Sequence, residues 1–188
     1  MFIKKYNHTY GEITALCRET NYLWIGYIAS GLARLRKVSI TNPDLVYYDI
    51  SVLGTRINKI IDYSDGYIYL SIDSINYIGV RFYKTNPISS FNYYTKHISL
   101  TENSVDVTTE TTYVYFLTPG ISPTNAKIGK YYLTGTYNCT IDLTTIFNAK
   151  NIDKDCDNVF WIVTTNNPVE LIKVWYDTSW HYTVYTLS

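Results

Sequence analysis

Three alternating aspartates are the strongest candidate for metal chemistry in this sequence. They stand two residues apart, at Asp153, Asp155 and Asp157, and carboxylates at the first, third and fifth positions of a loop can converge on a calcium ion. Asn158 stands where such a loop needs glycine, and Thr164 stands where it needs the terminal glutamate. The run also falls at a predicted hairpin turn, where polar residues are expected, so a solvated turn is the interpretation that we favour over a calcium site.

Tyrosine and asparagine side chains in predicted loops are the candidates for ligand binding. Aromatic rings stack on the faces of sugars, and side-chain amides both donate to and accept from sugar hydroxyls. This pattern suits a glycan site, but for any single position we favour an ordinary turn residue. The candidate positions, between the second and third strands of successive units, are Tyr27, Asn76, Tyr77, Asn125, Asn166 and Asn167.

A lysine or arginine between two apolar residues recurs four times, at spacings of 47, 46 and 46 residues. Four cations related by rotation could surround an anionic ligand or an acidic partner surface. The interpretation that we favour is that third strands lie towards the outside, where long side chains cover apolar neighbours and keep their charge in water. The four positions are Arg34, Arg81, Lys127 and Lys173.

No sequence pattern predicts catalysis. The nucleophile motif GxSxG does not occur, and His8, His97 and His181 are not spaced as a metal-binding pair. The three cysteines form no CxxC pair, which argues against a zinc knuckle or a thioredoxin-like motif. We therefore expect a non-enzymatic protein with no cofactor other than the candidate calcium.

Composition and charge exclude further classes of protein. Sixteen basic and sixteen acidic residues give a net charge of zero, which argues against a nucleic-acid-binding surface. The chain is 46% hydrophobic and 17% charged, which is enough to form a core. No apolar run is long enough to span a bilayer, and residues 1–6 lack a signal-peptide pattern. We predict no membrane insertion and a location in a virus particle or the cytoplasm.

A repeat of about 46 residues must position these candidates. One aromatic residue in each of four apolar runs follows the previous one by 45, 46 and 46 residues, so this series and the cations share one period. Each unit contains four short runs rich in Tyr, Ile, Val and Thr, with turn residues between them. Four strands in such a unit are typical of a propeller blade. The aligned aromatic residues are Trp24, Tyr69, Tyr115 and Trp161.

The sequence therefore predicts an all-β fold of four four-stranded blades in a single domain over residues 1–188. Residues 1–10 precede the first blade, and the strand-like segment 2–6 is expected to cap an exposed blade edge. The blades would form a small closed propeller, or half of a larger ring completed by a second chain. Their predicted bounds are 11–52, 53–98, 99–144 and 145–188.

The first blade resembles a known repeat. Residues 23–26 read LWIG and residues 31–35 read GLARL, which is similar to the LWIG…GGLxRL repeat of the two-component-regulator type of β-propeller. The resemblance is partial in the second blade, at residues 79–82, and is reduced to a pattern in the other two. It implies the blade fold. It does not imply the sensor function, because those sensors have membrane spans and kinase segments that this sequence lacks.

The number of blades is similar to that of hemopexin-like propellers. If the ring closed in that way, Cys17 and Cys156 would belong to neighbouring blades. A disulfide between them would then resemble the ring-closing bond of that family. The low cysteine content and the missing secretion pattern favour free thiols instead.

We predict a non-enzymatic structural or adhesion module of a virus or phage particle, which mediates protein–protein assembly or receptor attachment. The near-zero charge, the missing catalytic motif and the Tyr-, Asn-, Ile- and Thr-rich composition motivate this prediction. The expected partners are other subunits or a second copy of the chain, with glycans as a further ligand class. A lectin-like propeller is the first alternative, and a propeller hydrolase or lyase is the second.

Overall fold

The structure is a computed structural model that describes residues 11–85, 87, 90–155 and 158–187. Sixteen β-strands and no α-helix form in these residues. Within the same residues, no helix is long and apolar enough to cross a bilayer. The predicted capping strand at residues 2–6 lies outside the described residues.

The strands form four antiparallel sheets, each made of four strands that are consecutive in the chain. The first sheet contains β1 (Glu12–Glu19), β2 (Tyr22–Ala29), β3 (Leu32–Ser39) and β4 (Val46–Ser51). The second contains β5 (Arg56–Asp62), β6 (Tyr67–Asp73), β7 (Tyr77–Tyr83) and β8 (Asn92–Thr95). The third contains β9 (Asp106–Thr109), β10 (Tyr113–Thr118), β11 (Ala126–Tyr132) and β12 (Tyr137–Leu143). The fourth contains β13 (Ala149–Lys154), β14 (Phe160–Thr164), β15 (Val169–Tyr176) and β16 (Trp180–Leu187).

Short turns give each sheet its simple up-and-down order. Ser30 and Gly31 connect β2 to β3 with φ angles of 51° and 76°, and two central residues with positive φ match the twist of antiparallel strands. Gly66 adopts a φ of 88° between β5 and β6. Asp65 beside it accepts a hydrogen bond from the Tyr67 N–H at 2.9 Å. The turn residues of the sequence therefore define the hairpins.

The hydrophobic core consists of three layers, one between each pair of successive sheets. Side chains alternate along a strand, so an inner sheet contributes to the layers on both of its sides. The second and third sheets approach each other closely at Gly79, where an added Cβ would lie 2.1 Å from the Phe116 ring. Each sheet falls within one of the four predicted units, and the all-β four-blade prediction is confirmed.

The four sheets do not close into a ring. Successive sheets contact each other mainly through their first strands, β1 with β5, β5 with β9 and β9 with β13. Among the described residues, no comparable contact joins the fourth sheet to the first. The series therefore has two end faces, one on the first blade and one on the fourth.

Candidate functional site

Each blade has one face towards the next blade and one towards the preceding blade, which we call the forward face and the rear face. Trp24, Tyr69 and Tyr115 lie on the forward faces of the first three blades and are buried there. Ile162 lies in the core between the third and fourth blades, so alternation places Trp161 on the forward face of the fourth. No other sheet in the described part of the chain covers that face, and Trp161 is half-buried.

A carboxylate before each of these aromatic residues accepts a hydrogen bond from the aromatic side chain. The indole Nε1 of Trp24 donates to Glu19 at 2.6 Å, and that of Trp161 donates to Asp155 at 3.1 Å. Tyrosine hydroxyls make the same bond in the two middle blades, from Tyr69 to Asp65 and from Tyr115 to Glu110. The bond satisfies the polar tip of a ring that packing would otherwise leave without a partner.

The two tyrosines remain protonated in this arrangement. Burial raises the pKa of Tyr69 and of Tyr115 well above the usual range, and the adjacent carboxylates raise these pKa values further. The hydroxyl is therefore the donor and the carboxylate the acceptor, as in the two tryptophan pairs.

A cation on the third strand of each blade lies opposite the aromatic residue. Lys37 is paired with Trp24 in the strand register, and its Nζ lies 2.8 Å from Glu19. The other three pairs have the same register. We call each set of carboxylate, aromatic residue and cation a hairpin triad. The four triads are Glu19–Trp24–Lys37, Asp65–Tyr69–Arg81, Glu110–Tyr115–Lys130 and Asp155–Trp161–Lys173.

The four cations of the predicted series are not structurally equivalent, and the prediction is wrong in the first and third blades. Arg34 is paired with Tyr27, and Lys127 is paired with Thr118, so both cations lie on rear faces. Arg81 and Lys173 lie on forward faces, so the predicted series does not present its charges in one direction. In the first and third blades, the cations equivalent to Arg81 and Lys173 are Lys37 and Lys130. Each lies three residues after the predicted cation. An odd offset along a strand places a side chain on the opposite face of the sheet.

The triads are not recognisable as units from the sequence alone. A signal was present, because an acidic residue precedes each aligned aromatic residue by four to six positions. The assignment of the partner cation also needs the strand register, which the sequence does not state.

The forward face of the fourth blade is apolar and exposed. Tyr185 and Leu187 of β16 are 46% and 49% exposed. Val163 and Val169 on neighbouring strands are exposed on the same face. Together with Trp161 they form a patch that we call the blade 4 end face. Large exposed apolar patches are characteristic of interaction sites.

The rear face of the first blade carries exposed apolar residues as well. Ile13 and Leu16 of β1 are 44% and 56% exposed. Their register equivalents are buried against the preceding blade, Ile57 and Ile60 in the second blade and Ala149 and Ile152 in the fourth. A β-bulge occurs at the same place in all three of these first strands. We call the surface around Ile13 and Leu16 the blade 1 end face.

Tyr27, one of the predicted loop residues, lies inside β2 and is only 1% exposed. Its hydroxyl donates to Asp49 at 2.7 Å, and Arg34 and Arg36 both bind the same carboxylate. Burial opposes ionisation of Asp49, but hydrogen bonds from Arg36, Tyr27 and Arg34 hold its pKa below the usual value. The placement of Tyr27 in a ligand-binding loop was wrong, because β2 continues to the turn at Ser30.

Asn76 and Tyr77 lie at a cleft on the side of the molecule where β6 turns into β7. The cleft encloses about 840 Å³. Lys96 lines it, with its Nζ donating to the Ser74 carbonyl and to Asn103 Oδ1, both at 2.7 Å. Burial lowers the pKa of Lys96 from its ordinary value. The structure thus places two predicted ligand residues beside a mainly apolar cleft that also contains an ordered lysine.

The other three predicted loop residues lie in loops of the third and fourth blades, away from this cleft. Asn125 Oδ1 accepts a hydrogen bond from the Thr145 N–H at 3.1 Å. Asn166 donates to Glu170 at 2.7 Å, and Asn167 is exposed. These residues do not share a cavity with Asn76 and Tyr77.

Two of the three carboxylates of the predicted calcium loop accept hydrogen bonds from the chain itself. Asp155 accepts hydrogen bonds from the Val159 N–H at 3.0 Å and from Trp161. Asp153 belongs to β13 and accepts one from the Lys154 N–H. Asp157 lies outside the described residues, and among those described no group of three or more His, Cys, Asp or Glu residues could hold a metal ion.

Cys17, for which the sequence favours a free thiol over a disulfide, is a free thiol. It packs into the core layer between the first and second blades, and therefore points away from the fourth blade. Cys156 lies outside the described residues.

Comparison with known proteins supports the propeller class. The computationally designed Ika4 protein matches with a TM-score of 0.62 and 12% identity, over 97% of this chain and 94% of that one. Streptogramin B lyase matches with a TM-score of 0.66 and 17% identity, over 95% of this chain and 54% of the lyase chain, so this chain spans about half the length of the lyase. No family model and no curated protein matches. At these identities the likeness shows the fold alone.

Proposed function

We propose that this chain is a non-enzymatic propeller module that assembles with a second copy of itself through its two end faces. The observation that carries the proposal is the blade 4 end face. It repeats the hairpin triad that three other blades bury against a neighbour, and it has no neighbouring sheet among the described residues. The composition favours a virus or phage particle as the setting of this assembly.

A second copy fits this face because the chain carries the complementary surface. Every packed forward face in the structure contacts the rear face of the next blade. The rear face of the first blade displays Ile13 and Leu16 where other blades bury their equivalents. A head-to-tail pair of chains would cover both end faces and close a ring about a twofold axis.

Light scattering coupled to size exclusion tests this proposal. The expected mass is about twice the 21.8 kDa of one chain. Val163→Asp on the blade 4 end face and Leu16→Asp on the blade 1 end face should each give a monomer. Ile75→Asp is the control, because Ile75 is 92% exposed in the β6–β7 turn, away from both end faces.

Mixing the two end-face variants tests the head-to-tail geometry. Each variant supplies the face that the other has lost, so the mixture should regain one native interface and form a weaker dimer. A monomeric wild-type chain at a concentration of about 100 μM would overturn the proposal. A Leu16→Asp variant that remains fully dimeric would also contradict it.

Carbohydrate binding is a second candidate function, favoured by the cleft that contains Asn76 and Tyr77. An amide, an aromatic ring and the ammonium of Lys96 line this cleft, and such groups suit sugar hydroxyls and ring faces. A glycan array probed with wild type, Asn76→Ala and Asn125→Ala tests it. Only Asn76→Ala should lose a signal, because Asn125 lies in another loop. Silence of the folded wild-type protein would exclude this candidate.

A further inference from the structure

A second cavity lies between the third and fourth blades, on the opposite side of the molecule from the Asn76 cleft. It encloses about 400 Å³, within the range of small-ligand sites. Four of its walls are aromatic, formed by Tyr115, Phe160, Tyr176 and Trp180. Neither end face contributes to it, so its function is independent of the proposed assembly.

The cavity exists because the third blade has a small residue in its outer strand. In the first blade, Tyr48 is paired with Lys37 and stacks on Trp24, with the ring planes 6° apart. The register equivalent in the third blade is Cys139, which is paired with Lys130. A cysteine cannot cover the triad as a tyrosine does, so the space above Tyr115 remains open.

The positive charge of Lys130 in the cavity is not neutralised by a carboxylate of the described residues. In the first blade, the corresponding Lys37 forms an ion pair with Glu19. In the third blade, the carboxylate of Glu110 accepts from Tyr115 and pairs with Lys154 at 3.5 Å. Within the described part of the chain, Lys130 therefore has no carboxylate partner.

Aromatic rings surround the Lys130 ammonium instead. Its Nζ lies 3.8 Å from the ring centroid of Tyr113 and 5.7 and 5.8 Å from those of Tyr115 and Trp180. Cation–π contacts hold the ammonium in position but do not neutralise it. The cavity thus combines flat apolar walls with an ordered positive charge that can accept an anion.

We propose that this cavity binds a small aromatic carboxylate. The carboxylate would pair with Lys130, and the planar ring would lie against the aromatic wall of the cavity. At the rim, the charges of Lys154 and Glu110 offset each other in an ion pair, so the excess positive charge of the cavity is that of Lys130. These features favour an anion over a neutral or cationic ligand of the same shape.

Calorimetric titration with 2-naphthoate tests the proposal, with the uncharged 2-naphthamide as the matched probe. Wild type should bind 2-naphthoate in a saturable manner and bind the amide at least about tenfold more weakly. Lys130→Met should reduce the affinity for 2-naphthoate by about tenfold or more. Lys173→Met is the control, because Lys173 occupies the same register in the fourth blade, outside the cavity.

Cys139→Tyr provides a second, independent variant. It restores the residue that covers the triad in the first blade, so it should fill the cavity and abolish binding without loss of folding stability. Melting temperatures of all variants show whether they are folded. Absence of saturable binding to wild type would overturn the proposal, as would equal binding of the acid and the amide. Binding that survives both Lys130→Met and Cys139→Tyr would place the ligand elsewhere.

Discussion

The first and fourth hairpin triads contain the same chemistry in two different environments. Each has a tryptophan whose indole N–H donates to a carboxylate, with a lysine in the adjacent strand. Trp24 is fully buried under the second blade, whereas Trp161 lies on the blade 4 end face and is half-buried. The covering sheet, not the triad itself, determines whether such a set belongs to the core or to the surface.

Truncation of the two tryptophans should give the largest difference between these environments. Trp24→Ala removes a buried ring and leaves a cavity, so we expect a loss of about 3–5 kcal/mol in the free energy of unfolding. Trp161→Ala should cost about 1 kcal/mol or less at protein concentrations where the chain is monomeric. Urea denaturation measures both. Similar losses would show that the blade 4 end face is covered in the monomer.

Replacement of the carboxylates should give a smaller difference. Glu19→Gln leaves the ammonium of Lys37, which is largely buried, without its ion-pair partner, and we expect a loss of about 3 kcal/mol. Asp155→Asn keeps an oxygen that accepts from Trp161, so a loss of about 1 kcal/mol is expected. The double variant Glu19→Gln/Lys37→Met should recover most of the first loss, because no unpaired charge remains. Failure to recover would mean that the unpaired ammonium of Lys37 is not the cause of the loss.

The polar network on the rear face of the first blade should give the smallest effect. Asp49→Asn is expected to cost about 1 kcal/mol at pH 7, because the carboxylate is partly exposed. The pKa of Asp49 is lowered from its ordinary value of 3.8. Its stabilising contribution is therefore present above about pH 4 and is lost as the pH falls through the lowered pKa.

The free energy of unfolding of wild type and Asp49→Asn, measured between about pH 2 and pH 7, shows this dependence. The two curves should differ by a constant amount near neutrality and converge in acid. Curves that stay parallel throughout would mean that Asp49 does not act through its charge.

Much of the architecture could be predicted from the repeat. The period of the aromatic series defines the four blades, and the turn residues mark the hairpins, because both signals are local in the sequence. The face of the sheet on which a side chain lies depends on strand pairing, which is not a local property of the sequence. Three cations, Arg34, Arg36 and Lys37, occur within four residues of β3, and only the pairing with β2 shows which of them lies opposite Trp24.

The candidate site was less predictable than the fold. Asn76 and Tyr77 were found because a turn residue and an aromatic residue are adjacent in the sequence. The cavity between the third and fourth blades exists because the small side chain of Cys139 leaves space beside it unfilled. A small side chain gives no sign of a cavity in the sequence until the strand registers show that Cys139 is the equivalent of Tyr48.

Each blade is one uninterrupted segment of chain, and no strand is shared between sheets among the described residues. A force applied across the two ends of the series would therefore detach whole blades one after another, instead of unravelling the molecule at once. Each detachment breaks a single core layer. In an optical-tweezers trace we expect a series of unfolding steps of similar length, each corresponding to the release of about 46 residues.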